Sequence, residues 1–283
     1  MYLQDLYRFY RIYHNKNDFH NPFDTSASEN SAFFVMCPYF RESPLKDRMT
    51  EVGKFFYKHH FYRELWQLLG AYVDSEDIEY WRLAARSYYR EKDYRSADMA
   101  YTNVLELNAD DMQAIRGKAL TGFYLEDYEQ AVEYNKKLLE MDATNEHVQL
   151  NLAVSLMNND EIEEAMSLLF KLNYDHPENL SIQRSLAWGY LRQQKPQQAA
   201  PIYTRLLANQ HRMPTDCLNA GYCQWFLSNM EEAINLFKQY VAETNKERPM
   251  PGGNALLHDV FAMDADLLQQ YGIGMKEAFV MED

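Results

Sequence analysis

Ala97, Ala131, Ala165, Ala199 and Ala233 stand 34 residues apart without drift. A second register, Ala85, Ala119, Ala153, Ala187 and Gly221, keeps the same step twelve residues earlier. Two small residues per 34-residue unit are the mark of stacked helical hairpins, in which each unit buries its apolar face only against its neighbours. The small residues belong where helix backbones cross closely and a larger side chain would overpack. Length therefore counts repeats rather than cores, and we expect one domain from the 283 residues.

Counting Ile78, Met112, Glu146, Leu180 and Pro214 as first positions gives five units, 78–111, 112–145, 146–179, 180–213 and 214–247. The fourth and eleventh positions of the first unit hold Trp81 and Tyr88. The seventeenth position carries Tyr94, Tyr128, Ile162, Pro196 and Met230, and the twenty-fourth Tyr101, Asn135, Leu169, Tyr203 and Phe237. Pro177 closes the third unit as a helix stop. This pattern of aromatic, two small residues, aromatics and terminal proline resembles the tetratricopeptide repeat family over about 170 residues. The resemblance implies an all-α fold: a right-handed α-α superhelical solenoid of about five hairpins. Lys118, Gly122 and Asn135 depart from the pattern, so the second unit is expected to pack loosely.

The flanks are less regular. Residues 1–43 read as an amphipathic helix over the first fourteen, a polar loop, and the segment AFFVMCPYF, which either packs on the first hairpin or occupies a groove in this or another chain. Ser43 and Pro44 make a helix start, and residues 44–77 read as a degenerate capping hairpin that breaks near His59 and His60. Residues 248–283 read as capping helices over the open end of the fifth unit. In them Asp264 caps ADLLQQYG and Gly272 stops it.

Charge and cysteine content exclude several classes. A net charge of −14 argues against nucleic acid as partner, because affinity for a polyanion comes from clustered Lys and Arg. Three cysteines, Cys37, Cys217 and Cys223, fit a reducing compartment better than a disulfide framework, and we place the protein in the cytoplasm. Charges at Asp5, Arg8 and Arg11 break any apolar leader. The longest apolar run, residues 32–40, is far short of the roughly 20 residues that span a bilayer. The eight histidines show no metal spacing, and Cys217 and Cys223 fall on different faces of one helix. No phosphate-binding or nucleophile-elbow motif occurs, so we expect no enzyme, no cofactor and no metal. Asn179-Leu180-Ser181 matches a glycosylation sequon but reads as a helix cap at a unit boundary.

Function is then expected on a surface. With positions 4, 8 and 11 of each first helix packed inward, positions 2, 5, 9 and 12 form another stripe. In tetratricopeptide repeat proteins that stripe, with position 13, lines the concave groove. Carried onto this sequence, the candidates are Arg82, Arg86, Tyr89 and Arg90, then Arg116, Phe123 and Tyr124, then Met157 and Asn158. The fourth unit adds Arg184, Trp188, Leu191 and Arg192, and the fifth adds Tyr222, Trp225 and Phe226. All 25 stripe positions together hold six Arg and one acid, with seven aromatics, in an otherwise acidic chain. Arg and aromatic side chains are the types that dominate binding hot spots.

The carboxylate clamp of chaperone-binding members is absent, since its positions hold Arg82, Arg86, Gly117, His147 and Asn151. We therefore expect an adaptor, scaffold or chaperone-like module whose groove takes an acidic and apolar peptide. The alternative is a self-associating subunit of a larger assembly. An enzyme subunit and an RNA-binding helical repeat fit less well.

Overall fold

The computed structural model describes Asp5 and residues 48–247 and 253–274. The expectations for residues 1–43, Asp5 apart, and the Ser43–Pro44 helix start lie outside the described residues. The described residues form helices joined by short turns and contain no strand. In order they give α1 (Met49–Lys58), α2 (Tyr62–Ala71), α3 (Ile78–Arg90), α4 (Tyr94–Leu107), α5 (Met112–Tyr124), α6 (Tyr128–Met141) and α7 (Glu146–Asn158). Then follow α8 (Ile162–Asp175), α9 (Leu180–Arg192), α10 (Pro196–Leu207), α11 (Pro214–Phe226), α12 (Met230–Glu247), α13 (Gly253–Met263) and α14 (Ala265–Gln270).

The chain divides into two compact units between Met141 and Asp142. In the first, α1–α6 form three antiparallel hairpins in sequence, with α3 touching both α1 and α5. In the second, α7–α12 form three more, α9 touches α7 and α11, and α13 and α14 follow α12.

Short polar side chains cap α3, α4, α5, α7 and α9 among the described helices. Asp77 accepts from the Glu79 amide at 2.8 Å, Asp93 from Ser96 at 3.1 Å, and Asp111 from Ala114 at 2.8 Å. Asn145 accepts from Val148 at 3.2 Å and Asn179 from Ser181 at 3.0 Å. Each satisfies an amide that the first helical turn leaves without a partner. Asn179 therefore does a cap's work.

Each hairpin turns through one left-handed residue: His60, Lys92, Glu126, Asp160, Gln194 and Ser228, with φ from 57° to 65°. The next amide reaches back five residues, as in Asp93 N to Tyr88 O at 3.0 Å and Lys195 N to Tyr190 O at 2.8 Å. This is the Schellman closure, made here without glycine and with every left-handed side chain exposed.

The periodic alanines are the crossing points. Ala85, Ala97, Ala131, Ala153, Ala165, Ala187, Ala199 and Ala233 are all 0 % exposed. At Gly221 an added Cβ would stand 2.5 Å from the Phe237 ring, so glycine replaces alanine where the partner is an aromatic ring.

The second unit of the repeat is closely packed, contrary to the expectation from Lys118, Gly122 and Asn135. The Lys118 ammonium lies 2.7 Å from Asp98 and 3.2 Å from the Thr102 hydroxyl. Asp98 also accepts from Thr121 at 2.7 Å and from Gln130 at 2.9 Å. Asn135 donates to the Ala131 carbonyl at 2.9 Å. A Cβ on Gly122 would meet the Ala131 nitrogen and the Asp127 oxygen at 3.0 Å. A polar network thus fills the volume that the family's apolar residues fill elsewhere, and within it the Lys118 ammonium and the Thr121 hydroxyl both find partners.

Candidate functional site

In the first unit, α1, α3 and α5 lie side by side and present the predicted stripe. Arg86 reaches across to the Gln113 side chain on α5, and its guanidinium lies over the Tyr57 ring, 5.9 Å from the centroid. Arg90, one turn on, lies over the Tyr62 ring at the same distance. Arg116 follows Gln113 by one turn, is exposed, and has no ion-pair or hydrogen-bond partner among the described residues. Tyr94 and Tyr124 stack at 4.4 Å with planes 7° apart, and Tyr89 meets both edge-on at 5.6 and 6.0 Å. Burial, with a hydrogen bond to Tyr124, holds the Tyr89 phenol well above its ordinary range and therefore neutral. Phe123 is half-buried against Tyr128, 5.8 Å between centroids.

Arg82 behaves differently. It is held by Asp111 (Nε to Oδ2, 3.0 Å) and by Glu79. Asp111 is buried and also caps α5, so one carboxylate fastens two successive hairpins. Arg184 in the second unit repeats the device, with two bonds of 2.7 and 2.8 Å to the buried Asp216 and a third of 3.0 Å to the His211 carbonyl. Arg192 pairs with Asp160 at 3.2 Å. These three arginines are structural ion pairs with their carboxylates supplied from within, which corrects their assignment to a free groove.

The apolar half of the predicted groove is corrected too. Tyr222 and Leu191 are 0 % exposed, Met157 3 % and Trp225 7 %. Over Tyr222 and Trp225 the covering element is the C-terminal arm, α13 with α14. Phe261 stands 5.8 Å from Tyr222, 5.7 Å from Trp225 and 5.2 Å from Phe237. Tyr271 stacks on Phe226 at 3.5 Å and donates to the Leu191 carbonyl at 2.8 Å. Asp264 was expected as a cap, but its side chain makes no cap bond and accepts the Tyr222 hydroxyl at 2.8 Å. Of the second unit's candidates, Asn158 is exposed and Trp188 half-buried.

Sequence reasoning missed Asp111, Asp216, Phe261 and Tyr271, and gave Asp264 only the role of a cap. The first two carry a signal, since an aspartate opening one first helix lies 29 or 32 residues beyond an arginine at position 5. The arm's target carries none. The Cys223 thiol donates to the Pro196 carbonyl at 3.3 Å, and burial pushes it up to about 12. It is therefore a protonated core residue and a poor nucleophile. No group of metal-ligating side chains occurs among the described residues, and none of their helices is long and apolar enough to cross a membrane.

Two tetratricopeptide repeat family models match the sequence, one over residues 82–146 and 184–248, the other over residues 123–188. Together they span more than half of the chain. No curated protein matches it. Among solved structures, a tetratricopeptide repeat protein from Parabacteroides merdae is 15% identical, with 86% of this chain and 90% of that one covered at a TM-score of 0.60. MamA from Desulfovibrio magneticus RS-1, residues 41 to the end, is 14% identical, with 59% and 95% covered at a TM-score of 0.53. At these identities the likeness is one of fold.

Proposed function

Because the chain belongs to the tetratricopeptide repeat family, a protein–protein interaction or scaffold module, we propose that it is a non-enzymatic adaptor whose first unit binds an acidic and apolar peptide on the α1–α3–α5 face. One observation carries this reading. Arg86, Arg90 and Arg116 have no carboxylate partner among the described residues, whereas Arg82, Arg184 and Arg192 have theirs. A partner that brings Asp or Glu to the first three completes pairs that the chain leaves open, in the forked geometry guanidinium favours.

The Tyr89–Tyr94–Tyr124 group beside them offers area for an apolar side chain at little cost in conformational entropy. The buried free thiols Cys217 and Cys223 suit the cytoplasmic placement.

The test is an array of short peptides graded in acidic and aromatic content, probed with the full chain and with its Arg86→Glu, Arg116→Glu double variant. We expect retention on peptides holding both residue types, weakening as salt rises. The double variant should bind about tenfold more weakly or worse, with less salt dependence. Equal binding by the two proteins would overturn the reading.

A further inference from the structure

The C-terminal arm covers the second unit's inner face, and it also brings a carboxylate to the edge of an opening. Asp264 stands at the join of α13 and α14. On one side its Oδ2 accepts the Tyr222 hydroxyl. On the other it lines a recess of about 340 Å³ that opens to solvent among α7, α9, α11 and α14. Met157 and Trp188 form its apolar wall, the first buried and the second half-buried. Asn158 spends its amide N–H on the Val154 carbonyl at 2.8 Å, which leaves its oxygen as an acceptor. Asn219, half-buried on α11, has no hydrogen-bond partner among the described residues. Arg184 also lines the recess, but its bonds to Asp216 make that pair neutral.

The recess therefore offers one carboxylate, two amide oxygens and an indole, and no free cation. We infer that it is a binding site for a lysine side chain presented by a partner protein. An ammonium has three N–H donors and no acceptor, which matches three acceptors drawn from three helices or their ends. The lysine methylenes would lie on Trp188 and Met157 with the charge among the oxygens. Arginine fits less well, because the guanidinium fork seeks both oxygens of a carboxylate and Tyr222 already engages one.

The surroundings favour a cation. Asp160, Asp216, Asp264 and Asp266 outnumber Arg184 and Arg192 around this recess and the adjoining one. Residues 142–283 carry 10 basic against 19 acidic side chains, a field that steers positive ligands inward. This site is separate from the arginine face of the first unit and opposite in charge, so each stands or falls alone.

The test uses the full chain and three capped tripeptides, Gly-Lys-Gly, Gly-Arg-Gly and Gly-norleucine-Gly. The readout is the Trp188 indole N–H resonance, assigned with Trp188→Phe. We expect a saturable shift with the lysine peptide in the millimolar range, at least about tenfold weaker binding of norleucine, and intermediate binding of arginine. Asp264→Asn should abolish the lysine shift. The inference is overturned by no shift, by norleucine or arginine binding as tightly as lysine, or by undiminished binding in Asp264→Asn. Should Asp264→Asn loosen the arm and lower the melting temperature, the three peptides on the parent chain decide the matter alone.

Discussion

Gly117 and Gly70 sit in first and second helices of similar length and do opposite things. A Cβ on Gly117 would stand 2.3 Å from the Tyr101 ring, whereas a Cβ on Gly70 meets nothing within 4 Å. Overpacking costs about 1–3 kcal/mol, and relieving an exposed helical glycine returns about 0.5–1 kcal/mol. Gly117→Ala should therefore lower the melting temperature and Gly70→Ala should raise it slightly, as calorimetry would show. The alanine crossing points were legible in the sequence because the backbone repeats, and a residue kept small every 34 positions has one explanation, whereas Gly117 stands in neither register. The arginines were half legible. Their stripe was visible, but Arg82 and Arg184 meet aspartates that look like ordinary helix caps, and only the distance of 29 or 32 residues from each arginine hints that the cap is used twice. Lys118 misled for a related reason: alone it reads as a misfit, and only Asp98 on α4, itself held by Thr121 and by Gln130 on α6, makes it a buried, satisfied cation.

Among the elements, the C-terminal arm was legible as helix and illegible as to its destination. Its apolar spacing shows which face must be buried, while the surface that buries it is a matter of chain path. The arm rests on Phe261, which is 0 % exposed and ringed by Tyr222, Trp225 and Phe237. Truncating a fully buried phenylalanine removes its burial energy and leaves a cavity, about 3–5 kcal/mol together. Phe261→Ala should therefore strip the arm from the inner face, lower the melting temperature, and expose Trp225 to a fluorescence quencher that does not reach it in the parent. A variant with unchanged quenching would mean that the arm is held elsewhere.

For the whole molecule, the two compact units suggest that unfolding is not one event. Stacked hairpins are stabilised by their neighbours alone, so destabilisation in one unit spreads weakly. The four tryptophans make this measurable, since Trp66 and Trp81 lie in the first unit and Trp188 and Trp225 in the second. With either pair replaced by Phe, urea denaturation reports on the other. Gly117→Ala should shift the midpoint read by Trp66 and Trp81 well beyond the midpoint read by Trp188 and Trp225. A common shift in both would show a single cooperative unit.

The left-handed turn residue has its own implication for how such a gene can change. His60, Lys92, Glu126, Asp160, Gln194 and Ser228 share a backbone conformation and an exposed polar side chain but no common identity, since the closure is made by main-chain groups. Mutation can thus exchange one exposed polar residue for another at each turn, with proline and the β-branched residues excluded by the positive φ. Insertion or deletion has no such latitude. Whole units can be gained or lost with every later alanine still meeting its crossing point, but a single extra codon inside a helix would rotate all that follows in that helix by about 100°. Lineages of this chain should differ in length by entire hairpins and in composition at their bends.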